Sequence, residues 1–250
     1  MRESAFAVVV PMFNEERGAL HCIREITRVL QELPLRARLI AVNDGSSDGT
    51  AEVLKSAQEG NVALTVVTHE KNLGYGKALL TGGRTASDLG CDFVIFMDSD
   101  LTNDPRFIPI FAQKMEEGCE LVKASRYIPG GGVQNVPAWR YWISRVGNAF
   151  VRLLYGLPVH DCTNGFRAIR TALLERMQIT ERGFPAIMEE LYWAKILHAR
   201  VCEVPYILTS RADTLRPSSF EYRPKVFYRY LKYPFMAFLR IPPQLSRINL

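Results

Sequence analysis

Nowhere in the 250 residues is there a run of 18 uncharged apolar positions, so the sequence predicts no membrane-crossing helix. No secretory leader is expected either. The first apolar run, residues 5–10, is short and passes straight into Pro-Met-Phe-Asn-Glu-Glu, which reads as a first strand. Cysteine is sparse and badly spaced for a scaffold. Cys22, Cys91, Cys119, Cys162 and Cys202 are odd in number and contain no Cys-x-x-Cys, which argues against a disulfide framework or a zinc centre and for a reducing compartment. The four histidines include no pair at ligand spacing, and His160, beside Asp161, reads as structural. No P-loop is present. Gly74-x-Gly76 is not a dinucleotide fingerprint, because Leu79 stands where the third glycine belongs.

What is present is an ordinary globular composition, 48% hydrophobic and 23% charged, long enough for one large core or two small ones. The net charge of +5 is unevenly placed. From residue 211 onward there are eight Lys/Arg against two acidic residues, with eight aromatics, which leaves 23 basic and 24 acidic residues before it. Short β-rich runs at 6–10, 39–43, 63–68, 93–97 and 121–124 alternate with amphipathic segments at 15–33, 48–59, 76–89 and 105–117. This alternation predicts a mostly parallel sheet with helices on both faces. A helix over 138–155, strands at 165–169 and 201–208 and a helix over 187–198 complete the reading. The expected organisation is a catalytic domain over 1–210 and a basic, aromatic tail over 211–250.

The strand over 93–97 ends in Asp98-Ser99-Asp100. Ligands of α/β sheets bind beyond the carboxyl ends of the strands. Two carboxylates there repel unless a cation or several donors lie between them. Hard oxygen ligands suit Mg²⁺ or Mn²⁺, completed by phosphate oxygens of a substrate. The competing reading is a helix cap, by Asp100 or by Asp104 before Pro105. Three other strand ends carry similar chemistry: Pro11-Met12-Phe13-Asn14-Glu15, Val42-Asn43-Asp44-Gly45-Ser46, and Asn72-Leu73-Gly74-Tyr75-Gly76-Lys77. Each alone is turn and cap chemistry; four at successive strands point to a nucleotide site. Asp98-Ser99-Asp100-Leu101-Thr102 also matches the nucleophile motif of haloacid-dehalogenase-like phosphatases. The late acidic pair that family needs is absent, since Asp161 and Asp213 are isolated.

These motifs, in this order, resemble the family 2 glycosyltransferases of the GT-A (Rossmann-like) fold, and among them the polyprenol- or dolichol-phosphate mannosyltransferases. The resemblance covers residues 5 to 220. Its more discriminating part is Ala124-Ser125-Arg126-Tyr127, then Ile143-Ser144-Arg145, then Asp161-Cys162-Thr163-Asn164-Gly165-Phe166-Arg167. It implies an inverting transferase that moves a sugar, mannose favoured, from a nucleotide diphosphosugar such as GDP-mannose to a polyprenyl phosphate. Pro11, Phe13, Asn14, Glu15, Val42, Asp44, Gly74, Lys77, Asp98 and Ser99 would bind the nucleotide. Asp98 and Asp100 would hold Mg²⁺ or Mn²⁺. Asp100, Arg126, Arg140, Ser144 and Arg211 would form the catalytic set around the sugar and acceptor phosphates. Phe13 stands where the family usually has Tyr, Thr102 where it commonly has Gln, and Ser219 where Lys is frequent.

An acceptor phosphate is anionic at neutral pH and needs no strong base, consistent with a site without an evident catalytic histidine. Arginines suit it because a guanidinium grips phosphate oxygens bidentately and stays charged. The tail interleaves aromatics with Arg223, Lys225, Arg229 and Lys232, as a helix in a lipid headgroup layer does. Its alternatives are docking on the core or a contact in a homo-oligomer. The expected location is therefore cytoplasmic, at the inner face of a membrane, with no nucleic-acid partner. Two alternatives stay open: a UDP-sugar-dependent transferase acting on undecaprenyl phosphate or a saccharide, and a non-catalytic nucleotide-sugar binding protein.

Overall fold

The computed structural model describes residues 4–208 and 224–242. Along the chain come β1 (Ala5–Met12), α1 (Ala19–Gln31), β2 (Arg36–Asn43), α2 (Thr50–Glu59), β3 (Leu64–Thr68), α3 (Tyr75–Asp88) and β4 (Phe93–Phe96). A 3-10 turn (Pro105–Phe107) leads into α4 (Ile108–Glu116), followed by β5 (Leu121–Ser125), β6 (Gly132–Val133), α5 (Ala138–Tyr155), β7 (Arg167–Arg170) and α6 (Thr171–Arg176). The described chain ends with α7 (Ala186–Ile196), β8 (Val201–Pro205), β9 (Ile207–Leu208) and α8 (Pro224–Phe238).

Seven strands form one sheet in the order β3-β2-β1-β4-β7-β5-β8, and β6 pairs with β9 beside it. Alternate residues of β1 supply both faces. Phe6, Val8 and Val10 enter a core with α1, α2 and α4, while Ala7 and Val9 enter a second core with α3, α5, α6, α7 and α8. Strands buried on both sides need continuous apolar runs, which is why β1 and β4 carry them. This is the expected mostly parallel sheet between helical layers.

One strand departs from the pattern and creates the site. β7 runs antiparallel to both β4 and β5. Its reversal brings the loop before it, residues 161–166, to the edge where β1, β2, β4, β5 and β8 end. The sequence pattern gave no sign of this direction, because an apolar run reads the same both ways.

Two other expectations need correction. Helix α1 begins at Ala19 rather than near residue 15. The Glu15 carbonyl accepts from Gly18 and Ala19 N–H, and Asn14 takes a left-handed φ of 56°, so 13–18 form a turn. The cysteines are not all free either: Cys119 and Cys202 form a disulfide across 83 residues. The parallel pairing of β5 with β8 sets Val122 opposite Cys202 and so brings the two cysteines together, a juxtaposition that spacing along the chain conceals. With that bond, the argument for a reducing compartment loses its basis.

The basic tail is only partly visible. Arg211, Arg216, Ser219 and Arg223 lie outside the described residues. Helix α8 packs on α5 and α7, with Tyr233 and Ala237 buried and Tyr228, Phe235, Phe238 and Leu239 exposed.

Candidate active site

The ends of β1 and β2 are stitched together by the residues expected to bind a nucleotide. Asn14 Oδ1 accepts from Ser47 N–H at 2.9 Å, Ser46 Oγ accepts from Asn14 N–H at 3.0 Å, and Thr50 Oγ1 accepts from Glu15 N–H at 2.8 Å. Phe13, between them, projects with its ring exposed. Pro11 is the last-but-one residue of β1, paired in register with Val42, whose side chain is buried in the core.

Asp44 is buried and has a structural partner set. It accepts from Leu73 N–H at 2.9 Å and Gly74 N–H at 2.8 Å, and His69 Nδ1 lies 2.7 Å away. The carboxylate thus organises the loop after β3 and starts α3. Gly74 has φ 96°, and a Cβ there would lie 2.5 Å from the Arg182 carbonyl oxygen. The close neighbour that demands glycine is the chain itself. Lys77 sits on the first turn of α3, its N–H bonded to the Gly74 carbonyl.

Beyond β4 the two aspartates diverge in environment. Asp98 accepts from Tyr75 Oη at 3.1 Å and from Asn103 Nδ2 at 3.3 Å. Burial and the Asp100 charge raise its carboxyl above the usual range. Asp100 accepts from Thr102 N–H at 3.1 Å and Thr102 Oγ1 at 2.7 Å, a turn that puts Leu101 at φ 54°. A bulky residue is rarely found there. Ser99 lies between the pair. The helix-cap role falls to Asp104, which accepts from Arg106 N–H at 2.9 Å before Pro105. Neither Asp98 nor Asp100 is the N-cap of a described helix, and both stand at the end of β4.

The reversed β7 closes the site with the 161–166 loop. A Cβ on Gly165 would stand 3.4 Å from Asp98 Oδ2 and 3.3 Å from Tyr75 Oη. Two buried cations hold this loop from below: Lys123 Nζ donates to the Asn164 carbonyl and Arg167 Nη1 to that of Gly165 at 2.6 Å. Arg167 also forms a bidentate pair with Glu190 and lies 4.6 Å from the centre of the Phe96 ring. Burial pushes Lys123 down to about 8, helped by the Arg167 charge.

Of the arginine set expected around phosphate, Arg126 and Arg140 lie among the described residues and Arg211 does not. Arg126 donates from Nε at 2.6 Å and Nη2 at 2.8 Å to the buried Asp161, so its charge is already matched. Ser144 Oγ accepts from Tyr127 Oη at 2.7 Å, on the same side of the molecule as Arg126. Arg140 is exposed on the outer part of α5, 5.3 Å from the Trp139 ring centre. Tyr75, Asn103, Lys123, Asn148 and Arg167 are site neighbours that the motifs did not single out. Tyr75 and Arg167 were within quoted motifs, but only the fold shows what they touch.

The sequence model of glycosyl transferase family 2 matches residues 7–178, which takes in the ends of β1, β2, β4 and β5. Polyprenol monophosphomannose synthase of Mycolicibacterium smegmatis is 31% identical over 209 residues, 82% of this chain and 77% of that protein. Dolichol-phosphate mannosyltransferase of Pyrococcus furiosus is 30% identical over 233 residues, covering 91% of this chain but 62% of the longer relative. Among solved structures, glucosyl-3-phosphoglycerate synthase from Mycobacterium tuberculosis, in complex with Mn²⁺, UDP and glucosyl-3-phosphoglycerate, superposes with a TM-score of 0.66. That alignment covers 96% of this chain and 82% of the other at 21% identity, and so establishes the shared GT-A architecture. The chain is a glycosyltransferase and belongs to glycosyl transferase family 2.

Proposed function

We propose that the enzyme moves a mannosyl group from GDP-mannose to a polyprenyl phosphate at a membrane surface, with inversion at the anomeric carbon. The observation that carries this reading is the Asp98–Asp100 pair at the end of β4, with Tyr75 and Asn103 donating to Asp98 and Thr102 to Asp100. The 30–31% identity to two polyprenyl-phosphate mannose transferases supports the sugar and the acceptor class.

Among the described residues no cluster of three His, Cys, Asp or Glu surrounds a cation position. Two hard carboxylates still fit Mg²⁺ or Mn²⁺, which commonly complete their shell with phosphate oxygens and water. When bound, such an ion neutralises charge developing on the departing diphosphate, a contribution of about several kcal/mol. Tyr75 and Asn103 fix the orientation of Asp98, and Thr102 that of Asp100. Phe13, Asn14, Glu15, Asp44, Gly74, Lys77 and Ser99, with the Pro11–Val42 pair beneath, form the nucleotide end. Arg126, Ser144, Arg140 and Arg211 serve the acceptor end. The acceptor oxygen attacks as an anion, so the protein need not remove a proton.

The membrane part of the reading rests on α5 and α8. Trp139, Trp142, Ile143, Val146, Phe150 and Leu153 are all exposed, with Trp139 at 57% and Leu153 at 73%. At 3.6 residues per turn these six fall within an arc of about 100°. Arg140 flanks the stripe on one side, Arg145 and Arg152 on the other. Phe150 meets Phe235 of α8 at a ring distance of 6.2 Å, so the apolar surface continues onto Phe238 and Leu239. Apolar surface rimmed by basic side chains fits an anionic lipid headgroup layer. No described helix is long and apolar enough to cross a membrane.

Incubation with GDP-mannose or UDP-glucose, Mg²⁺ or Mn²⁺ and a polyprenyl phosphate tests the reading. Formation of lipid-linked mannose is expected. Turnover of the UDP-sugar alone would reassign the donor, and consumption of neither would leave a nucleotide-sugar binding protein.

A further inference from the structure

Helix α5 has a second face that the lipid reading does not use. Asn148 lies half a turn round from the exposed stripe and is only 1% exposed. Its side chain is fully engaged. Nδ2 donates to the Ser144 carbonyl at 2.9 Å and to Thr163 Oγ1 at 3.2 Å, while Oδ1 accepts from Cys162 N–H at 2.8 Å and Thr163 N–H at 3.2 Å. One side chain therefore ties the helix to two consecutive amides of the loop that lies against Asp98.

The rest of the loop is pinned from the sheet. Arg126 Nη2 reaches Thr163 Oγ1 at 3.2 Å, and Lys123 and Arg167 take the next two carbonyls. Gly165 follows, where a Cβ would stand 3.4 Å from Asp98 Oδ2 and 3.3 Å from Tyr75 Oη. Helix α5 meets that footing through its C-terminal half. Its buried residues, Asn148, Val151, Leu154 and Tyr155, all lie in its C-terminal half. The half with Trp139, Trp142 and Ile143 is held to the body by the Tyr127–Ser144 hydrogen bond and the Tyr127–Tyr141 ring contact at 5.7 Å. Asn148 is where any movement of α5 would reach the loop.

We propose that Asn148 is a positioning residue that couples the seating of α5 on a lipid surface to the geometry of the 161–166 loop beside Asp98. The enzyme then completes the acceptor end of its site when it is on the membrane. Adjacency alone does not demonstrate coupling; a response of one site to occupation of the other does. This proposal rests on the lipid-surface reading of α5, and the experiment separates the two.

Amide hydrogen exchange of residues 161–166 is measured with and without vesicles of phosphatidylcholine and phosphatidylglycerol, alongside vesicle sedimentation. For the unaltered protein, sedimentation and a slowing of loop exchange by roughly tenfold are expected. In Asn148→Ala, sedimentation and cooperative unfolding persist but the vesicle effect on the loop is lost. Asn148→Asp keeps an acceptor for the Cys162 and Thr163 amides and restores the effect, which a purely structural loss of stability would not predict. If the unaltered protein sediments and its loop does not respond, the coupling is wrong and the lipid reading stands. If the response survives in Asn148→Ala, or Asn148→Asp fails to restore it, Asn148 is not the link. If the unaltered protein does not sediment, the lipid reading falls and the coupling with it.

Discussion

Asp98 and Lys123 show how a single buried charge records the purpose of its surroundings. Burial and Asp100 raise the Asp98 carboxyl, so the folded chain keeps that proton at a pH where the unfolded chain has released it. Stability contributed by this group is therefore present at low pH and lost as pH rises through the raised value. Asp98→Asn removes the cost: the metal-free protein is expected to gain about 0.5–2 kcal/mol at neutral pH, read as a higher Tm. Transfer is expected to fall about 10²–10³-fold in the same variant, from the several kcal/mol that a bound cation contributes. A variant that is both more stable and as active would remove Asp98 from the site. Lys123 titrates with the opposite sign. Its folded value is about 8 against 10.5 in the unfolded chain, so between those values the unfolded chain binds more protons and stability rises with pH. The slope from one proton is at most about 1.4 kcal/mol per pH unit. Urea unfolding at several pH values from 8 to 10 is expected to show that rise, and Lys123→Met to flatten it. Motif reading reached Asp98 because an aspartate pair ending an apolar run is visible in one segment. It missed Lys123 because its partner is the Asn164 carbonyl, which has no sequence signature, and it gave Arg167 no partner because Glu190 is 23 residues away. It could not show that Arg126 also pairs with Asp161, 35 residues away.

At the scale of elements, periodicity located the helices and left their orientation undetermined. The 138–155 segment was legible as a helix, and α5 spans Ala138–Tyr155. An apolar stripe at helical spacing ordinarily faces a core. Here the stripe faces out, and the side with Asn148, Val151, Leu154 and Tyr155 faces in. Sequence pattern gives the contrast between two faces, and only packing decides which face is covered. The same ambiguity hid the direction of β7 and with it the source of the loop at Gly165. The tail's basic and aromatic composition was the feature that drew attention to lipid, yet the longest exposed apolar stripe among the described residues is on α5. Trp142→Glu with Ile143→Glu is therefore expected to weaken vesicle sedimentation more than tenfold, since each buried side chain of this size contributes about 1.5–3 kcal/mol. Both positions are more than half exposed, so thermal unfolding should be nearly unchanged. Equal sedimentation of the double variant and the unaltered protein would sever α5 from the membrane.

At the scale of the whole molecule, function and cross-linking occupy opposite edges of the same sheet. β1, β2, β4, β5 and β8 all end at the site edge, and there Tyr206, just past β8, donates through its hydroxyl to the Thr102 carbonyl behind Asp100. The Cys119–Cys202 bond lies at the other edge, where β5 and β8 begin. It fastens the outermost strand of the sheet, which among the described residues has a partner on one side only. The segment between the two cysteines contains α5, β7 and α7, so the bond closes a loop around much of the second core. Closing a loop of 83 residues restricts the unfolded chain and typically contributes about 2–4 kcal/mol. Its distance from the aspartates means the contribution should be to stability and not to chemistry. Denatured without reductant, the protein is expected to show three titratable thiols, from Cys22, Cys91 and Cys162. Reduction or Cys202→Ser should lower the unfolding free energy by about 2–4 kcal/mol and leave the donor KM unchanged below the lowered Tm. Five thiols in that assay would remove the bond, and a raised donor KM on reduction would show that the strand ends at the site depend on the tie at their beginnings.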